Sequence, residues 1–204
     1  LYEKNRSLDR LESIFDYLTS EFRDLPAVVV RSIGGPASEY YVQEENLCLK
    51  VFAAVSRHED TPIRVGANSL LTAGELLQLA GAHRSILAVG EATLIPTVHV
   101  LTGLRAALLA DVRVGAVGPV SNFAEGEQLM PVPYMYLNRR NYQALADRYA
   151  RKGIRVESDV LQGFCQLLRT EALHDLAPET ELSEISAALR EKGWTLSVAG
   201  DVFV

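Results

Sequence analysis

Two carboxylates stand where a chain of alternating strands and helices would expose them. Glu91 follows the apolar run Ile86-Leu87-Ala88-Val89, at the tip of a predicted strand, and Glu184 falls in the first turn of a predicted late helix. A strand-tip carboxylate can ligate Mg²⁺ or Mn²⁺, but one alone holds such a cation poorly without phosphate oxygens beside it. As a surface carboxylate, Glu91 needs no ligand at all. Glu184 also admits two readings: a general base toward a hydroxyl, or an acid placed by the positive end of the helix dipole. Polar loop residues make the third group. Ser121 and Asn122 follow the strand pattern of Val112-Arg113-Val114-Gly115-Ala116-Val117, and Gln128 lies a few residues on. In open α/β sheets ligands gather outside the carboxyl ends of strands. Asn122 and Gln128 can touch a ligand there, or satisfy the backbone of their own loop.

Other chemistries find less support. His58, His83, His99 and His174 lack metal-ligand spacing, and Cys48 and Cys165 lack Cys-x-x-Cys spacing. No dinucleotide, phosphate-loop or nucleophile-elbow motif is present. A net charge of −6 disfavours nucleic acid as a partner. No apolar run reaches the roughly 20 residues of a membrane helix, and the polar start, Leu1-Tyr2-Glu3-Lys4, is no signal peptide. Two distant cysteines read as reduced thiols of a cytoplasmic protein. A start without Met reads as a piece of a longer chain.

The elements that would position these groups alternate along the 204 residues. Ser7 can cap an amphipathic helix within residues 1–24, with a narrow seam of Leu8, Leu11, Phe15, Leu18 and Phe22. That seam packs on its own domain or pairs two copies into a homodimer. Residues 25–204 then form one α/β domain. Strands are expected at 27–30, 63–65, 86–89, 112–117, 163–168 and the C-terminus. Gly118-Pro119 is expected to end the fourth of these, because proline removes a ladder donor. Helices are expected around 44–55, at 72–81 behind a Thr72/Glu75 capping box, after Pro96, before Gly153, from Glu171, and from Ser183 to Lys192. Phe164 and Cys165 read as core. Arg190 reads as the partner of an acid on its own helix face. This pattern predicts a mixed, mostly parallel sheet with helices on both faces.

Three blocks carry a resemblance. Val114-Gly115-Ala116-Val117-Gly118-Pro119-Val120-Ser121-Asn122-Phe123, with Gly126 and Gln128, resembles the middle of a family 2 glycosyltransferase of the GT-A fold. Gln162-Gly163-Phe164-Cys165 followed by Leu167-Leu168-Arg169-Thr170-Glu171 is similar to that family's Gly-Phe-Cys strand and short helix. Ala188-Leu189-Arg190-Glu191-Lys192-Gly193-Trp194 and Val198-Ala199-Gly200-Asp201 resemble its last helix and strand. The resemblance covers the C-terminal half, in order, and weakens before residue 85. It implies a donor-like half, 25–120, and an acceptor-like half, 121–204.

Transfer from a nucleotide-sugar needs charge neutralised on the leaving diphosphate, a base at the acceptor hydroxyl and a nucleotide pocket at the strand tips. The resemblance puts the family's metal motif on Gly90-Glu91-Ala92-Thr93, where Thr93 matches and Ala92 replaces a ligating Asp. It puts the nucleotide-contacting Asp on Gly66, and the late acidic pair on Ser183-Glu184, with Ser186 where a further Asp is common. The stretch from Ser69 to Glu91 is also short by a strand and a helix. These substitutions imply a domain with a degenerate donor site, accessory to an active transferase or recognising a protein or glycan acceptor. An active inverting enzyme would instead use Glu91 with Mn²⁺ or Mg²⁺, and Glu184 as base.

Overall fold

The computed structural model describes residues 61–66, 71–90, 99–122, 124–130, 144, 147–148 and 154–204. The helix expected at 1–24, the expected elements at 27–30 and 44–55, Glu91 and Thr93 lie outside these residues, as does the helix before Gly153 apart from Ala144, Asp147 and Arg148, which are helical.

In chain order the elements are β1 (Ile63–Val65), α1 (Ala73–Ala80), β2 (Ser85–Val89), α2 (Val100–Leu109), β3 (Val114–Val120), a 3₁₀ turn (Gly126–Gln128), β4 (Arg155–Ser158), β5 (Gln166–Arg169), α3 (Thr170–Leu173), α4 (Leu182–Glu191) and β6 (Thr195–Phe203). The strands form one six-stranded mixed sheet in the order β1-β2-β5-β3-β6-β4. β1, β2, β3 and β6 run one way, and β5 and β4 run against them.

Both faces of the sheet are covered, as the alternation of elements requires. On one face Leu87, Val89, Val117 and Leu167 pack with Val100, Leu101, Leu104 and Leu108 of α2. On the other Ile86, Ala88, Ala116, Leu168 and Val198 meet Leu76 of α1, Leu173 of α3 and Ile185 and Leu189 of α4. Successive strand residues point to opposite faces, so an apolar run such as Ile86–Val89 serves both cores.

Several local expectations meet their physical cause. Thr72 Oγ1 accepts from Glu75 N at 3.3 Å, but the Glu75 carboxylate reaches Arg64 Nε at 3.1 Å, so only half of the capping box forms. Gly81, at φ 54°, ends α1 where its N–H bonds Leu77 O. Arg169 closes α2: Nε donates to Val114 O at 2.7 Å and Nη2 to Leu108 O at 2.6 Å, placing a cation on the helix's last carbonyls.

Three expectations are corrected. β3 begins at Val114, and Val112 is 79% exposed in a turn held by the Asp111–Arg113 ion pair. β3 does not stop at Gly118-Pro119 but runs to Val120, with Pro119 paired to Ala199. Val120 bonds toward β6 through Val204 N, so Pro119 presents its backbone to the opposite side. There β5 contacts only Ala116 and Val117, so no ladder donor is missed at Pro119. Finally, β5 begins at Gln166, and Phe164 and Cys165 precede it, although both pack in the core.

Candidate functional site

The carboxyl ends of β1, β2 and β3 lie on one edge of the sheet. Gly66 N donates to Val89 O at 2.9 Å, joining the tips of β1 and β2, and Gly90 N donates to Phe164 O at 2.9 Å, joining β2 to the loop before β5. Glu91 and Thr93 continue from Gly90 outside the described residues. At Gly66 a β-carbon would meet Leu71 Cδ2 at 3.0 Å and Arg64 Nη1 at 3.5 Å. A side chain at position 66 would therefore crowd the end of Leu71, with a guanidinium behind it. Arg64 and Glu75 have side chains only 11% and 22% exposed, so this pair is largely shielded. Sequence reading missed it; the signal is a lone basic residue in a three-residue strand.

At the tip of β3 the loop folds straight back. Ser121 N donates to Gln128 O at 2.9 Å and Met130 N donates to Ser121 O at 3.0 Å. Asn122 sits half-buried in the turn that follows. Gln128 is 2% exposed and spends its amide internally: Nε2 donates to Pro119 O at 2.8 Å, and Oε1 accepts from Gln162 N at 2.6 Å. It is the post that holds the 161–164 loop against β3.

A second buried polar group secures the same loop. Ser186 Oγ donates to Leu161 O at 3.0 Å and accepts from Leu161 N at 3.3 Å. Gln166 Nε2 lies 3.3 Å from Gln162 O, and Gln166 Oε1 is buried without a hydrogen-bond partner. An acid at position 186 could not donate to Leu161 O when ionised, so serine suits a clamp here.

Glu184 is exposed in the first turn of α4. The start of α4 is tied to the segment entering α1, where Leu182 N donates to Leu71 O at 2.8 Å and Thr72 bridges Glu181. The same Leu71 packs next to Gly66, so the start of α4, with Glu184 in its first turn, is tied to the segment that leaves β1.

Two further charged residues are paired within the fold. Asp201 does not end β6, which continues to Phe203; it is buried against Arg155. Arg190 pairs with Asp159 at 2.7 Å and, more distantly, Glu157 at 3.6 Å, rather than with an acid on its own helix. Burial pushes the Cys165 thiol far above its ordinary range. Among the described residues no group of three His, Cys, Asp or Glu side chains could hold a metal ion, and no helix is long and apolar enough to cross a membrane. Compared with known proteins, the chain matches no family model, and no curated protein or solved structure matches it.

Proposed function

We propose that residues 25–204 are a GT-A-like domain related to family 2 glycosyltransferases, with a degenerate donor site. It acts as an accessory or acceptor-recognising domain beside an active transferase, in the same chain or as a partner. One observation carries this reading: the contrast between the two ends of the strand-tip edge. At the β1 tip, Gly66 stands in place of a nucleotide-contacting carboxylate, and a side chain there would crowd Leu71. At the β3 tip, buried Gln128 and Ser186 hold the 161–164 loop against the strand that leads to Asn122. A fixed loop on the acceptor side and a donor position without its carboxylate fit recognition without transfer.

Binding of an acceptor glycan panel to the full chain tests it. Saturable binding, unaffected by chelator and weakened at least tenfold in Asn122→Ala, is the expected result. Binding that requires Mn²⁺ and a nucleotide would count against it.

A second reading, an active inverting transferase using Glu91, a divalent cation and Glu184, is favoured by the exposed position of Glu184 in the first turn of α4. The two readings separate on donor binding. Dimerisation through the 1–24 helix remains a third proposal, tested by sedimentation of a chain lacking those residues.

A further inference from the structure

Strand β4 is the last in the sheet order, and among the described residues it pairs only with β6. Its pattern shows which backbone groups face outward. Gly200 N donates to Ile154 O at 3.0 Å, and the register pairs Val156 with Val198 and Ser158 with Leu196. Antiparallel ladders alternate, so residues 154, 156 and 158 bond inward to β6, while Arg155 and Glu157 direct their N–H and C=O away from the sheet. An open edge of this kind templates another strand. Ile154 and Val156, on one face of β4, are 41% and 40% exposed, and Glu157 is exposed on the other.

We infer that this edge is self-complementary and pairs with β4 of a second copy of the chain, the two-fold axis passing through Val156. In that antiparallel register Arg155 and Glu157 exchange backbone hydrogen bonds with Glu157 and Arg155 of the second copy. Each cross-strand pair then joins opposite charges, which stabilises a ladder. The neighbouring registers that also match outward-facing groups put Arg155 against Arg155, or Glu157 against Glu157, and like charges directly opposite are unfavourable. The charge order Arg-Val-Glu thus selects one register and one partner. Arg155 retains its bond to Asp201, since a guanidinium carries five donors. A strand of four residues buries far less than the roughly 1,600 Å² of a standard interface, so the pair is weak and concentration-dependent.

Val156 would face its twin as a non-hydrogen-bonded pair, with Cα atoms about 4.5 Å apart, within disulfide range. The test uses the full chain carrying Cys48→Ser, with Val156→Cys or, as control, Asp159→Cys, whose twin lies far along the strand. Mild oxidation should give a covalent dimer at 156 and at least tenfold less at 159, and adding Glu157→Lys should abolish the 156 product. Sedimentation velocity of the unmodified chain should show mass rising with concentration, and Glu157→Lys should hold it at the monomer. A chain monomeric at every concentration, equal cross-linking at both positions, or a dimer indifferent to Glu157→Lys but lost with residues 1–24 would overturn the inference.

Discussion

The amide of Gln128 lies directly over the backbone of Gly118: a β-carbon on that glycine would sit 2.5 Å from Gln128 Nε2. The tie from β3 through Gln128 to Gln162 exists only because position 118 has no side chain. Gly118→Ala should cost about 1–3 kcal/mol through overpacking. Gln128→Ala should also cost about 1–3 kcal/mol, because Pro119 O and Gln162 N lose their partner. The double variant should lose clearly less than the sum, since removing the amide removes the clash. Urea unfolding of the three variants measures this, and additive losses would contradict the contact.

Gly103 in α2 reverses a familiar rule. Alanine in an open helix interior improves on glycine by about 1 kcal/mol. Here a β-carbon would lie 2.4 Å from Val202 Cγ2 on β6, so helix and sheet cannot stay so close. Overpacking of about 1–3 kcal/mol outweighs the propensity gain, and Gly103→Ala should lower the unfolding midpoint. Val202→Ala in the same chain should recover part of that loss. A stabilising Gly103→Ala would show that the approach of α2 to β6 is looser.

The parts of this fold that could be read in the sequence are those whose signal is local. Ile86–Val89, the Thr72 cap and the Gly81 stop all follow from nearby residue types, and the late helix begins at Leu182, one residue before the expected Ser183. β4 did not follow, because Arg155-Val156-Glu157-Ser158 carries the mixed polarity of a loop and becomes a strand only by pairing with β6. The continuation of β3 through Pro119 was hidden for a similar reason. It depends on where β5 begins, which lies more than forty positions further along the chain. At the candidate site, the strand-tip location of Gly66 and the exposed first-turn place of Glu184 were legible. The burial of Gln128 was not, since an amide's partners, Pro119 and Gln162, are set by tertiary packing.

Cys165 should be chemically silent in the folded chain. Burial raises its folded pKa above the ordinary value of 9.0, so the neutral thiol is held where the unfolded chain would already ionise. The sign follows from linkage: stability from this group is full below pH about 9 and declines as pH rises beyond it, because only the unfolded state releases the proton. In Cys48→Ser protein, a thiol reagent at pH 8 should label Cys165 fully in denaturant and at least a hundredfold more slowly in the native state. Fast native labelling would place the thiol outside the core.

The most direct test of the central claim is calorimetric titration of the full chain with a panel of nucleotide-sugars in the presence of Mn²⁺. A β1 tip with Gly66 in place of a carboxylate predicts no saturable, metal-dependent heat with any of them. Saturable binding that needs Mn²⁺ and disappears in Glu91→Ala would contradict the account and favour the active-transferase proposal.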